Sequence, residues 1–301
     1  MGLRLVLAAL LAAAMTVAAR AEPIPVVASF SILADFARNI GGDRVAVTAL
    51  VGPGGDSHVY TPTPADARTV AAAKLVVVNG LGFEGWLPRL VKAAGGKATV
   101  VEAAKGVAPR KAADDDHDHG HDHGHDAVDP HAWQSVANAK IYVANIRDAL
   151  IAVDAAGTDA YRAHASAYLA QLDALEDEVR KAVAAIPVAR RKVISSHAAF
   201  GYFADRYGIA FIAPQGVSTE AEPSARAVAA LIRQIKRQQL PAVFLENMTD
   251  PRLARRIAAE TGAKIGGTLY ADSLTAENGP APTYIAMVRH NIKALTDALS
   301  D

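Results

Sequence analysis

Between residues 158 and 185, Tyr161, Ala165, Tyr168, Leu172, Leu175, Val179 and Ala182 recur every three or four positions, with no Gly or Pro among them. That period lays one apolar stripe along one helix, roughly 40 Å long at 1.5 Å per residue. Pro187 stops it, because proline has no amide proton to continue the ladder. A helix of that length, standing midway along the chain, suits a rigid spine between two folded halves better than it suits an ordinary core helix.

Both flanks carry the same pattern. Before the long helix, short Val-rich runs bounded by Gly, Pro or Asn read as buried strands at residues 25–29, 45–51, 75–78 and 98–101. Helical periods lie at 32–40, 63–73 and 86–94, and another runs from 134 to 153. After it, strands are expected at 192–195, 209–212, 242–245 and 264–268, and helices at 199–207, 223–239, 252–261 and 282–299. Pro223 is expected in the first turn of its helix. Such alternation predicts parallel strands covered on both faces. The expected fold is α/β, with two lobes, each a mainly parallel sheet flanked by helices, joined by one long rigid helix. The expected divisions are an N-terminal lobe at 22–157, a linking helix at 158–186 and a C-terminal lobe at 187–301.

The first 21 residues belong to neither lobe. Arg4, an apolar stretch from Leu5 to Ala18, and Ala19-Arg20-Ala21 form a basic end, a short hydrophobic region and a small-residue cleavage site. These are the parts of a cleaved signal peptide, too short to be a membrane span. The sequence has no Cys, so no disulfide and no acceptor for N-terminal lipidation, and the expected location is free in a periplasm. Lys plus Arg and Asp plus Glu are 31 each. That balance points to neither nucleic acid nor an anionic membrane as partner.

Residues 114–126 read DDDHDHGHDHGHD, six Asp, five His and two Gly. A stretch with no apolar side chain cannot build a core and reads as a solvated loop. Its oxygens and imidazoles suit a divalent transition metal, zinc above all. His117, His119, His121, His123 and His125 are therefore candidates for a weak, secondary metal-collecting loop.

Five His lie elsewhere: His58, His131, His164, His197 and His290. His58 follows the strand at 45–51 and a Gly-Pro-Gly-Gly turn, His131 precedes the helix at 134, and His197 follows the strand at 192–195. Side chains at the carboxyl ends of strands face the crevice of an open α/β sheet, so a metal could be clamped between lobes. A fourth ligand is expected from the second lobe, with Asp272 the best candidate and Glu246 its rival. His164 and His290 lie on helices and read as surface or packing residues.

Four stretches carry a resemblance: Gly55-Asp56-Ser57-His58-Val59-Tyr60-Thr61-Pro62-Thr63-Pro64, Asp129-Pro130-His131-Ala132-Trp133, Ser196-His197-Ala198-Ala199-Phe200-Gly201-Tyr202-Phe203 and Ala271-Asp272-Ser273-Leu274. In this order they resemble the ligand motifs of the zinc/manganese solute-binding proteins of ABC importers, the cluster A-I metal-binding family. Thr219-Glu220-Ala221-Glu222-Pro223-Ser224 resembles a further recurrent stretch. The resemblance spans nearly the whole chain after residue 21. It implies two lobes joined by a rigid helix, with metal buried between them and held by His58, His131, His197 and Asp272.

The implied cargo is Zn2+, delivered to a membrane ABC permease, with loading from a periplasmic zinc chaperone and a monomeric state as further expectations. Manganese is the alternative. His197 stands where manganese-type members resemble one another in using Glu, and imidazole-rich sites suit zinc. The competing class, a periplasmic zinc hydrolase, needs an open metal position and a general base. No His-Glu-x-x-His motif is present, and four protein ligands close a tetrahedral zinc site, so no enzymatic activity is expected. Ligating imidazoles must be neutral, so protons are expected to compete as pH falls through about 6.

Overall fold

The computed structural model describes residues 22–112 and 127–300. The expected signal peptide and the His- and Asp-rich stretch lie outside the described residues. The first sheet contains β1 (Ile24–Phe30), β2 (Val45–Val51), β3 (Leu75–Val78) and β4 (Thr99–Glu102), all parallel, in the order β2-β1-β3-β4. The inner strands are the most continuously apolar: β3 is Leu-Val-Val-Val, buried throughout, and β1 is buried from Val26 onward. This is the signature of strands covered on both faces. Helices α1 (Ser31–Gly41), α2 (Pro64–Ala72) and α3 (Leu87–Ala93) make the crossovers. A Thr63–Asp66 capping box and Pro64 in the first turn fix the start of α2.

The second sheet contains β7 (Lys192–Ile194), β8 (Ala210–Ile212), β9 (Ala242–Glu246) and β10 (Lys264–Leu269), again parallel, in the order β10-β9-β7-β8. Read from β8, this repeats the 2-1-3-4 order of the first sheet. Its helices are α6 (Gly201–Tyr207), α7 (Ala225–Gln238), α8 (Pro251–Thr261) and α9 (Tyr284–Leu299). The α7 helix starts later than its sequence suggests. The Ser224 hydroxyl accepts from Ala227 N at 3.1 Å and caps it, which leaves Pro223 outside the first turn.

Between the sheets stand α4 (Val136–Val153) and the spine, α5 (Thr158–Ala185). The spine has 28 residues and runs about 42 Å at helical rise. Its buried stripe, Tyr161 to Val183, packs against α1 and α4 on one side and α9 on the other. One apolar cluster therefore runs through both halves, from Val26 and Phe36 through Leu172 and Leu175 to Phe244 and Leu295. Each sheet also covers its outer face with a smaller cluster, Val27, Val76 and Leu90 in the first and Ile194, Val243 and Ile257 in the second. The lobes thus share their largest core. Wide hinge opening would expose that shared core, so the spine acts as a brace.

One element has no counterpart in the sequence reading. Arg110–Lys111 (β5) pairs antiparallel with Val128–Asp129 (β6), two residues a side, too short and too charged to show a period. Among the described residues no helix is long and apolar enough to cross a membrane.

Candidate metal centre

Each of four loops brings one donor to the seam between the sheets. After β2, the chain turns through Gly52–Gly55, with Gly55 N donating to Gly52 O at 3.1 Å, and Gly54 in the left-handed region at φ 77°. The next residues form an Asx turn in which His58 N donates to Asp56 Oδ1 at 2.9 Å. Trp86 Nε1 donates to Ser57 O at 2.8 Å, and the Phe83 ring meets the His58 ring edge-on at 4.8 Å.

His131 follows the short β6 strand. Asp129 Oδ1 accepts from both the His131 backbone N, at 3.0 Å, and the ring Nδ1, at 2.8 Å. The Pro130 carbonyl is held by Asn79 Nδ2 at 2.9 Å, and Asn79 is held in turn by the Tyr142 hydroxyl at 2.6 Å. His197 follows β7 and is gripped the same way. Glu246, at the end of β9, accepts from His197 Nδ1 at 2.5 Å, from His197 N at 3.2 Å and from Ser196 N at 2.8 Å. These bonds fix Nδ1 as the protonated nitrogen and aim Nε2 at the seam.

Asp272 follows β10. Its neighbour Ala271 offers its carbonyl to Trp133 Nε1 at 2.9 Å and Gln134 Nε2 at 2.7 Å, both from the first half. On its other side Ser273 Oγ accepts from Gly54 N at 2.7 Å, and Leu274 N donates to Ser31 Oγ at 2.9 Å. The Asp272 loop is therefore stitched to the first lobe on both sides. Thr219 adds a bond across the seam, donating its hydroxyl to Asp56 Oδ2 at 2.6 Å.

The donors converge. His58 Nε2 lies 3.3 Å from His131 Nε2 and 3.2 Å from Asp272 Oδ2. His197 Nε2 is also 3.2 Å from Asp272 Oδ2, and His131 Nε2 is 3.6 Å from Asp272 Oδ1. All four donor atoms fall within 4.8 Å of one another. His131, His197 and Asp272 are fully buried, and His58, 8% exposed, is the member that reaches solvent. Both Asp272 oxygens and His197 Nε2 are buried without a hydrogen-bond partner among the described residues. Orphaned buried polar atoms cost stability unless something else satisfies them.

Burial alone would drive both inner imidazoles neutral, but the carboxylates beside them outweigh it. Asp272 and Asp129 hold His131 above the usual imidazole range, and Glu246 and Asp272 hold His197 well above it. Burial also opposes charge on Asp272, yet the His131 and His197 rings keep it well below the usual carboxylate range. In the absence of a cation these residues share protons; a divalent ion can replace those protons one for one in charge.

The four residues singled out in the sequence are thus brought together. Glu246, the rival to Asp272, instead orients His197. The remaining two His among the described residues pack elsewhere: His164 Nδ1 meets Ile40 O at 3.1 Å, and His290 Nε2 meets Thr268 O at 3.0 Å with its ring edge-on to Tyr270. The roles of Asp129, Asn79 and Asp56 escaped the sequence reading. For Asp129 a signal was present, since Asp two residues before His is the spacing of an Asx turn.

Two similar α/β lobes braced by one helix, with a buried cluster of three His and one Asp at their seam, define a metal-binding solute-binding protein of the ABC-importer type. Residues 26–298 match the family described as zinc-uptake complex component A, periplasmic (ZnuA), and the chain belongs to that family. It is 34% identical over 279 residues to the manganese-binding lipoprotein MntA of Halalkalibacterium halodurans, covering 93% of this chain and 89% of the relative. It is 33% identical over 275 residues to the iron-binding protein YfeA of Yersinia pestis, covering 91% and 86%. The fold superposes on the periplasmic zinc-binding protein TroA of Treponema pallidum with a TM-score of 0.84 at 29% identity, over 93% of this chain and all of that one.

Proposed function

We propose that this protein captures one zinc ion through His58, His131, His197 and Asp272 and hands it to a membrane ABC permease. One observation carries the reading. Four donor–donor separations are 3.2–3.6 Å. The edge of a tetrahedron of nitrogen and oxygen ligands around zinc is about 3.3 Å. Three neutral imidazoles and one carboxylate also suit zinc by ligand type.

A second reading has its own support. Both Asp272 oxygens are uncommitted and both face His rings. Bidentate binding would add a fifth donor and more oxygen character, which suits manganese, and relatives are named for manganese and iron. Affinity in solution does not decide between the two, because such sites bind zinc above manganese whatever their cargo. Cargo is decided in cells. In a deletion strain, the intact gene should restore growth in zinc-limited medium and leave manganese content unchanged. Restored manganese content with unchanged zinc would establish the second reading.

The protein is read as a carrier rather than a hydrolase, since the nearby carboxylates Glu246 and Asp129 are occupied by ligand imidazoles. The same proposal includes a periplasmic monomer whose lobes divide at the 158–186 linker. It also includes loading by a zinc chaperone and loose zinc binding by His117, His119, His121, His123 and His125. MntA is named a lipoprotein; cell fractionation distinguishes a released from an anchored form of this chain.

A further inference from the structure

Asp129 has two jobs, one for each oxygen. Oδ1 receives the His131 ring and backbone. Oδ2 receives Arg110 Nη1 at 3.3 Å, from the residue that opposes Asp129 in the β5–β6 ribbon. The same guanidinium turns its Nε to Asp205 Oδ2 at 2.8 Å, on α6 of the second lobe. The Arg110 backbone N donates to the Tyr202 hydroxyl, on the same helix, at 2.9 Å. One residue therefore spans the seam, joining the carboxylate that orients a first-lobe imidazole to two groups of the second lobe.

The packing at this point leaves no room. A Cβ on Gly201, the first residue of α6, would sit 2.4 Å from Asp129 Oδ2 and 2.5 Å from Arg110 Nη1. The ion pair thus lies directly on the backbone of α6. Asp129 is fully buried, while the Arg110 side chain is 27% exposed and the Asp205 side chain 64% exposed. A buried carboxylate deprived of its cation is costly, so the lobes resist parting at the point where His131 is held.

We propose that Arg110 is a positioning residue that clasps the seam and sets how fast the metal leaves. Three of the four donors are fully buried, and in this proposal the metal leaves as α6 moves away from the ribbon. That movement breaks the bonds to Asp205 and Tyr202 and loosens the grip on Asp129, and with it His131. Closure and ligand orientation are coupled through one side chain. The inference rests on His131 being a metal ligand.

The test uses zinc-loaded full-length protein and follows transfer to an excess of chelator by stopped flow. Wild type, Arg110→Gln, Asp205→Asn and the double variant are compared, with His131→Ala as control and the melting temperature of each metal-free form recorded. Asp205→Asn should raise the dissociation rate roughly fivefold, the worth of one partly exposed charged hydrogen bond, and Arg110→Gln by at least as much, because it also takes the cation from buried Asp129. The double change should raise it no further than Arg110→Gln alone, because Asp205 acts in this clasp through Arg110. Association rates should hold within about twofold, since binding differences between variants fall mainly in dissociation. Should Arg110→Gln fold poorly, Asp205→Asn alters one exposed carboxylate and must raise the rate by itself. Unchanged dissociation in Asp205→Asn, or effects that multiply in the double variant, would overturn the clasp. Wild-type affinity in His131→Ala would instead overturn the ligand assignment beneath it.

Discussion

Glu246 Oε2 sits 2.5 Å from His197 Nδ1 on the side of the ring away from the seam, and Asp129 repeats this arrangement behind His131 at 2.8 Å. Two imidazoles, one from each lobe, are thus oriented by a carboxylate behind the ring. The site is preorganised in these two positions. His58 and Asp272 complete it from loops that are themselves bonded across the seam.

Loss of such a backing carboxylate has a known scale. Glu246→Gln should weaken zinc binding by about 10–100-fold, the usual cost of removing a partner behind a ligating imidazole. His197→Ala should cost at least about tenfold on the same grounds. His164→Ala and His290→Ala, whose rings bond backbone carbonyls outside the cluster, should cost little affinity. Competition titration against a chelator of known affinity measures all four. Equal damage from His164→Ala and His197→Ala would contradict the assignment.

Metal binding should expel protons at neutral pH. Sequence alone places the competition near pH 6, but the raised positions of His131 and His197 move it upward. A ligating imidazole must be deprotonated, so affinity should keep rising as pH climbs beyond about 6.5, the ordinary imidazole value. Calorimetry at pH 7 in buffers of differing ionisation enthalpy should show about one to two protons released per zinc. No proton release at pH 7 would contradict the raised values. The same protons stabilise the metal-free fold: that contribution is complete below about pH 6.5 and fades as pH rises through the folded values.

The spine region holds a second pH-dependent group. Asp35 on α1 accepts from Tyr284 N, at the start of α9, at 2.9 Å, and burial pushes its carboxyl up to about 6. For a carboxyl raised in the folded state, stability is fully present below the unfolded value of 3.8 and is lost as pH rises through about 6. The ionised form therefore costs about 3 kcal/mol at pH 8, from 1.36 kcal/mol per pKa unit. Asp35→Asn keeps the acceptor for Tyr284 N once the Asn39 amide turns. It should raise the melting temperature at pH 8 by several degrees and change it little near pH 4. A lower melting temperature at pH 8 would show that the charge is needed.

Removal of residues 114–126 should leave one tight zinc per protein and abolish weaker binding. Fixing a stretch with no apolar side chain around a metal costs conformational entropy, which ligands already held by strands do not lose. Ala112 N already donates to Ala127 O at 2.8 Å, so a short Gly linker can close the ribbon. Zinc titration and stopped-flow loading from a chelator compare the two forms. Loading should slow in the shortened protein, because nearby weak sites raise the local zinc concentration. Equal stoichiometry and equal loading rates would leave the stretch without a metal-handling role.

The legible parts of this molecule were those in which chain pattern and burial coincide. Val-rich inner strands such as β3 and the 28-residue spine declare themselves because both are buried along a fixed period. The meeting of His58, His197 and Asp272 was legible because loops after parallel strands converge on one edge. Glu246 satisfies that rule equally well, and only its direction toward His197 Nδ1 separates it from a ligand. Direction is set by side-chain rotamers, which strand patterns do not encode. The Arg110–Asp129 ribbon was illegible for another reason: a pairing of two residues has no period to detect. The core shared by the two halves was not legible either, because the stripe on the spine does not reveal that α1 and α9 meet on it.

Anomalous diffraction at the zinc edge from zinc-loaded crystals tests the central claim most directly. The expected result is one strong peak at the seam, about 2.0–2.2 Å from His58 Nε2, His131 Nε2, His197 Nε2 and an oxygen of Asp272. Glu246 and Asp129 should remain on the Nδ1 atoms behind their rings. A peak coordinated by Glu246 in place of Asp272, or a strong site that does not touch all four residues, would contradict the account.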